Sequence, residues 1–316
     1  MKPAVHEELI EGALARERGA VARLVSLFQD RREGAAERRA AILAALDEGG
    51  VSQAPVLGIT GTPGSGKSSL IGRIAGEMLG ADDELGLAVL AVDPSSHISG
   101  GALLGDRTRL RLDGRGERLF FRSEASATEL GGLSPSTFQV SRLLVRLYDA
   151  VIVETVGIGQ SEADIRWLAD RVLLVVSPLG GDEIQFLKAG IIEIPDAFVV
   201  NKCDVPSAHE SYAQLRSALW LARPFDADKL EIYRASARTG LGIDALAGEV
   251  RRLIDSGPTA TLAEREPHFL ERWVRDEWGR RGAEKLERQF GTAAKLIADA
   301  GGFDAAQERF SELAES

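Results

Sequence analysis

Val56-Leu57-Gly58-Ile59-Thr60-Gly61-Thr62-Pro63-Gly64-Ser65-Gly66-Lys67-Ser68-Ser69 decides the fold. From Gly61 onward it matches G-x-x-x-x-G-K-[ST] at every fixed position. The apolar run 56–60 precedes the glycines and the amphipathic segment 68–79 follows, so strand, loop and helix are predicted in that order. Glycines let a backbone wrap closely around an anion. Successive backbone N–H groups and the helix N-terminus then face its charge. Gly61, Thr62, Pro63, Gly64, Ser65, Gly66, Lys67, Ser68 and Ser69 are therefore the candidate phosphate contacts. Lys67 is expected to reach the β- and γ-phosphates, and the Ser68 hydroxyl to bind Mg²⁺. A glycine-rich turn without a ligand is the bland alternative, and the strand–loop–helix context argues against it.

Outward from this loop, short apolar runs alternate with longer amphipathic segments. The runs are 56–60, 87–92, 119–121, 150–153, 172–176, 197–200 and 232–233, dense in Val, Ile and Leu as strands covered on both faces are. Segments 68–79, 136–148, 183–194, 208–221 and 243–254 can hold the crossover helices. This rhythm predicts an α/β fold, a P-loop nucleotide-binding domain with a mostly parallel sheet flanked by helices. Residues 5–50 read as helices, the second over about 35–46. Residues 256–267 carry Gly257, Pro258 and Pro267 among charges and read as a linker, and 268–316 read as helical again. The expected organisation is 1–50, an N-terminal helical extension; 51–256, the nucleotide-binding domain; and 257–316, a linker with a C-terminal helical arm. The apolar positions Phe269, Trp273, Val274 and Trp278 suggest that 268–316 mediates self-association.

A second motif chooses the base. Asn201-Lys202-Cys203-Asp204 directly follows the run 197–200. The Asp204 carboxylate can accept from both the ring N–H and the exocyclic amine of guanine. Adenine lacks that donor pair and would leave a buried carboxylate unpaired. After a phosphate loop and several strand–helix units, this tetrapeptide reads as a guanine reader, so GTP or GDP is the expected ligand. Ser236-Ala237-Arg238, after the last apolar run, resembles the backbone loop that cradles the guanine O6 in GTPases. Cys203 reads as a packed residue of the base loop.

Three carboxylates are candidates for holding Mg²⁺. Asp93 ends the run 87–92 in a Walker-B-like place. Glu154 ends the run 150–153 and begins Glu154-Thr155-Val156-Gly157, the form of the Asp-x-x-Gly switch with Glu in place of Asp. Asp106 lies in Gly105-Asp106-Arg107-Thr108. Helix capping is the bland reading of each. Gly157 could present its N–H to the γ-phosphate. No Gln directly follows it, so the water-positioning residue of small signalling GTPases is missing and slow unaided turnover is expected.

Together these motifs, with Ala91-Val92-Asp93-Pro94-Ser95-Ser96, Gly105-Asp106-Arg107-Thr108-Arg109, Glu154-Thr155-Val156-Gly157-Ile158-Gly159-Gln160-Ser161 and Gly181-Asp182-Glu183, resemble the MeaB/ArgK GTPases. That family comprises chaperones of methylmalonyl-CoA mutase within the metallochaperone-related P-loop GTPases. The resemblance is close over about 50–255. It implies a G-domain with an N-terminal helical extension and a C-terminal dimerisation arm, hence a homodimer. It implies as partner methylmalonyl-CoA mutase or a related adenosylcobalamin-dependent mutase, whose cofactor loading and protection the GTPase regulates. It places Ser68, Asp93, Asp106 and Glu154 around Mg²⁺. It also makes the stretch around Lys188 an extra switch, with Lys188 assisting hydrolysis; from its own surroundings in the sequence, Lys188 is an ordinary helix-surface lysine.

Composition bounds the alternatives. A formal net charge of -10 argues against broad binding to nucleic acid or anionic lipid. One cysteine excludes an intramolecular disulfide framework. No apolar run reaches the roughly 18 residues of a membrane span, and the N-terminus lacks an apolar signal core, so the cytoplasm is the expected compartment. A metal-delivery GTPase for nickel or cobalt enzymes is the rival reading. Such proteins usually carry His-rich tracts or paired Cys/His ligands, whereas the 4 histidines here, His6, His97, His209 and His268, are widely separated. Relatives of this type are also labelled as transport-system kinases for amino acids. No acceptor site or lid for a kinase shows in the sequence.

Overall fold

The computed structural model describes residues 3–93, 117–125, 133, 135–155, 161–178 and 191–315. The chain divides into two compact units. One holds Ala54–Thr137 and Tyr148–Thr259; the other holds Met1–Gln53, Phe138–Leu147 and Ala260–Ser316.

The first unit is built on seven strands. They are β1 (Val56–Gly61), β2 (Leu87–Asp93), β3 (Leu119–Ala125), β4 (Ala150–Thr155), β5 (Arg171–Val176), β6 (Ala197–Val200) and β7 (Glu231–Arg234). Their order across the sheet is β3-β2-β4-β1-β5-β6-β7. Every pairing is parallel, so the sheet is wholly rather than mostly parallel over the described residues. All six residues of β1 and all six of β4 are buried, which is why these segments read as unbroken apolar runs. At about 1.5–3 kcal/mol for each fully buried aliphatic side chain, the central strands have little room for polar residues except at their carboxyl ends. Those ends are where this sheet type binds ligands.

The helices of this unit include α4 (Lys67–Ala81), α6 (Ser161–Leu168), α7 (Ala208–Ala222) and α8 (Ile243–Ser256). Leu70, Ile71, Ile74, Leu246 and Val250 of α4 and α8 share one core with Leu57, Ile59, Leu173 and Val175. Leu215 and Leu219 of α7 form another with Leu174, Phe198 and Val200. Gly58 makes the docking of α6 possible, because a Cβ there would stand 2.8 Å from Ile165.

The second unit contains α1 (Pro3–Leu14), α2 (Arg18–Phe28), α3 (Ala35–Glu48), α9 (Leu262–Phe290), α10 (Ala293–Ala300) and α11 (Phe303–Glu315). The helix α5 (Pro135–Leu144) follows β3, and its residues from Phe138 onward belong to this unit. Phe138 stacks on Phe269 with ring centroids 4.0 Å apart, and Phe303 meets Phe138 edge-on at 5.2 Å. Beside them Asp304, 2% exposed, accepts from Arg39 Nε at 2.7 Å and Arg142 Nη1 at 2.7 Å. Phe269 and Val274 are buried here. Trp273 and Trp278 meet Phe310 edge-on at 6.3 and 5.2 Å. The apolar positions that suggested self-association are thus engaged within the unit itself.

Several boundaries differ from the sequence reading. The first helical stretch breaks at Arg16, whose φ is 60°, a left-handed conformation that stops α1 before α2 begins. The segment 136–148 stops as a regular helix at Leu144, where Arg146 N and Leu147 N bond three residues back, to Leu143 O and Leu144 O. The segment 183–194 falls largely outside the described residues, and Ile191–Glu193 is a 3₁₀ turn. The supposed linker 256–267 is half helix. A capping box between Thr261 and Glu264 starts α9 at Leu262 and leaves Pro267 inside it.

Candidate functional site

The site lies at the carboxyl ends of β1, β4 and β6 and in the loop after β7. Gly61 ends β1 with φ 142°, and a Cβ there would fall 2.0 Å from Val175 O. Only glycine lets the chain leave the sheet so close to β5. Thr62, Pro63, Gly64, Ser65 and Gly66 form the loop, with Ser65 N bonding Thr62 O at 3.2 Å. Gly66, at φ 87°, is the N-cap of α4, and a Cβ there would stand 2.6 Å from Asn201 Nδ2. Lys67, Ser68 and Ser69 open the helix. Lys67 is 3% exposed, and its ammonium donates to Gly61 O at 2.8 Å and Thr62 O at 2.9 Å. The charge is thereby folded back along the loop it would serve.

Glu154 is buried in β4, in register with Ile59 of β1 and Ala91 of β2. The Ser68 hydroxyl donates to its Oε1 at 2.7 Å. Two oxygen groups separated by 86 positions are thus brought into direct contact, a donor pair that suits a hard cation such as Mg²⁺. Asp93 closes β2 opposite Ala125 of β3, and its side chain lies outside the described residues. Asp106, Gly157 and Lys188 lie outside them as well. Thr60, Ser65 and Thr155 carry buried hydroxyls without a partner among the described residues. All three sit at the ends of β1 and β4 or in the loop, where a polar ligand would give them one.

Base-loop residues meet the phosphate loop directly. Asn201 is 1% exposed; its Nδ2 donates to Ser65 O at 2.8 Å, and its Oδ1 accepts from Ala237 N at 3.3 Å. Lys202, with φ 58°, turns its ammonium back to Gly64 O at 2.7 Å. Cys203 N bonds Ala235 O at 2.9 Å, and Ala235 N bonds Val200 O at 2.9 Å, stitching the loops after β6 and β7 together. The Cys203 thiol points at Val200 O at 3.0 Å, as expected of a packed loop residue.

Asp204 receives the Ser236 hydroxyl on Oδ1 at 2.5 Å, and the Arg238 guanidinium pairs with Oδ2. The Ser236 bond, with the Arg238 charge behind it, holds the carboxyl of Asp204 below the ordinary carboxylate range. Ser236 is itself fixed, since its hydroxyl also accepts from Thr239 N at 3.2 Å. Sequence reasoning brought Ser236, Ala237 and Arg238 forward only as a backbone loop. It missed the Asn201–Ser65 clamp, the Lys202–Gly64 bond and the pairing of Arg238 with Asp204. No local pattern signals a contact between residues so far apart in the chain.

Comparison with known proteins agrees with this architecture. Residues 21–281 match the family model described as methylmalonyl Co-A mutase-associated GTPase MeaB. A Pyrococcus horikoshii relative is 41% identical over 218 residues, covering 69% of this chain and 67% of that protein. The mouse mitochondrial methylmalonic aciduria type A homolog is 37% identical over 226 residues, 69% of this chain and 54% of its own length. A solved structure titled LAO/AO transport system kinase superposes with a TM-score of 0.64 at 22% identity, over 100% of this chain and 99% of that one, and so shares the fold. Phosphate loop, parallel sheet and family match converge: the chain belongs to the MeaB family of methylmalonyl Co-A mutase-associated GTPases, built on the P-loop fold.

Proposed function

We propose that this protein binds GTP with Mg²⁺, hydrolyses it slowly unaided, and couples turnover to methylmalonyl-CoA mutase or a related adenosylcobalamin-dependent mutase in the cytoplasm. In this reading it regulates cofactor loading and protection of that mutase, and works as a homodimer. The observation that supports the nucleotide reading best is the hydrogen bond from Asn201 to Ser65 O at 2.8 Å, which ties a base-selecting loop to a phosphate-binding loop. The partner reading is supported by the family description and by the mouse relative's name.

Each residue has a task in this reading. Gly61, Thr62, Pro63, Gly64, Ser65, Gly66 and Ser69 offer backbone or hydroxyl donors to the phosphates. Lys67 exchanges its bonds to Gly61 O and Thr62 O for phosphate oxygens. Ser68 and Glu154, with Asp93 and Asp106, hold Mg²⁺, which neutralises charge on the β- and γ-phosphates when bound. Gly157 senses the γ-phosphate and Lys188 assists hydrolysis. Asn201, Lys202 and Asp204 fix the guanine, with the backbone of Ser236, Ala237 and Arg238 around its O6. Groups supplied from outside a GTPase site raise turnover by about 10³–10⁵-fold in well-studied cases. A chain without Gln after Gly157 is a candidate for such help.

The test is GTP turnover with and without purified methylmalonyl-CoA mutase, alongside light scattering of the protein alone. Stimulation and a dimer mass are expected. Unchanged turnover at saturating mutase would reject the partner, and a monomer mass would reject the dimer.

A further inference from the structure

We infer that Arg238 is a competitor for the guanine base: its guanidinium holds one of the two Asp204 oxygens that guanine needs, and so sets how strongly this site prefers guanine over hypoxanthine. The inference rests on the reading of Asp204 as the guanine acceptor.

The carboxylate of Asp204 has its two oxygens differently engaged. Oδ1 takes the hydroxyl of Ser236 at 2.5 Å, and that hydroxyl is pinned from behind by Thr239 N at 3.2 Å. This bond is internal to the loop, and Oδ1 keeps lone-pair capacity for one more donor. Oδ2 pairs with Arg238. The two partners differ sharply in their freedom. Ser236 is wholly buried, whereas the side chain of Arg238 is 76% exposed and that of Asp204 11%. Arg238 can therefore swing into water and be resolvated at small cost, while Ser236 cannot leave.

A guanine brings two parallel donors, the ring N–H and the exocyclic amine, and needs both oxygens. Hypoxanthine brings only the ring N–H and needs one. Guanine must therefore displace Arg238 from Oδ2, whereas hypoxanthine can be read while the Arg238 pair persists. The pair therefore weighs on guanine, which needs both oxygens, more than on hypoxanthine, which needs one. An exposed ion pair of this kind is worth a few-fold in an equilibrium constant, so the effect is modest, and it is screened by salt.

The experiment measures GDP and IDP affinities of the full chain for wild type, Arg238→Ala and Asp204→Asn, each at low and high salt. Arg238→Ala is expected to tighten GDP about two- to fivefold and to leave IDP unchanged, widening the GDP/IDP preference by that factor. Wild type should move toward the variant's preference as salt rises, while the variant's own preference stays flat. An unchanged or narrowed preference in Arg238→Ala overturns the inference. Asp204→Asn separates the two levels. If it loses GDP affinity while Arg238→Ala fails to widen the preference, only the competition is wrong; if it binds GDP like wild type, the guanine reading itself falls.

Discussion

Replacing Asn201 by Ala should uncouple the two halves of the nucleotide site. The side chain is 1% exposed and makes two bonds at once, donating to Ser65 O at 2.8 Å and accepting from Ala237 N at 3.3 Å. Its loss leaves the buried Ser65 carbonyl and the half-buried Ala237 N–H without this partner. Each orphaned group costs about 1–3 kcal/mol, and the longer bond belongs at the low end of that range. A loss of roughly 2–4 kcal/mol in unfolding free energy follows. It should appear as a lower urea midpoint at unchanged slope. The same two loops frame the nucleotide, so binding must restore the loop geometry that the clamp no longer holds. At about 1.4 kcal/mol per factor of ten, a 2 kcal/mol loss weakens GDP by roughly 30-fold. Asn201→Asp gives the geometric control. It keeps an acceptor for Ala237 N but sets a carboxylate against Ser65 O, so it should be no better than Ala. An Asn201→Ala protein with a wild-type urea midpoint and GDP affinity within twofold would refute the clamp.

Three further outcomes follow from other parts of the molecule. Lys67→Ala should lower GTP turnover by about 10²-fold or more, in the range for removing one preorganised charge-stabilising donor; full turnover would overturn the phosphate-loop role. Asp304→Ala strips Arg39 and Arg142 of a buried carboxylate, although Arg142 keeps Glu266 at 3.2 Å. A loss of about 3 kcal/mol by urea unfolding is expected, near the low end for breaking a buried pair, and a loss below about 1 kcal/mol would contradict that accounting. Asp204 is held below its ordinary 3.8 chiefly by Ser236. A carboxyl held low in this way keeps its charge as the pH falls, and its contribution disappears only below the lowered value. Ser236→Ala should therefore make GDP binding begin to fail at a higher pH than in wild type, and coincident profiles as the pH falls through 3.8 and below would count against it.

Much of the first unit could be read without coordinates because its requirements are local. The seven apolar runs became seven strands, since parallel strands buried on both faces need unbroken aliphatic sequence. Glycine at 61 and 66 was legible because both positions adopt left-handed or crowded backbone. The second unit was read less well. Its N-terminal helices, part of α5 and the C-terminal helices come from three separate parts of the chain. The stripe Phe269, Trp273, Val274 and Trp278, read as a self-association face, also meets Phe138 and Phe310 within its own unit, contacts that no local pattern signals.

By itself, the sequence determined which residue types could cradle a phosphate, accept a guanine and cover a parallel sheet, because those demands are met by neighbours along the chain. Only the tertiary structure decided that Ser68 meets Glu154, that Asn201 locks Ser65 and that Arg238 takes Asp204. The first two contacts join residues 86 and 136 positions apart. Such pairings leave no periodic trace in the sequence, since they depend on which strand ends the sheet order sets side by side.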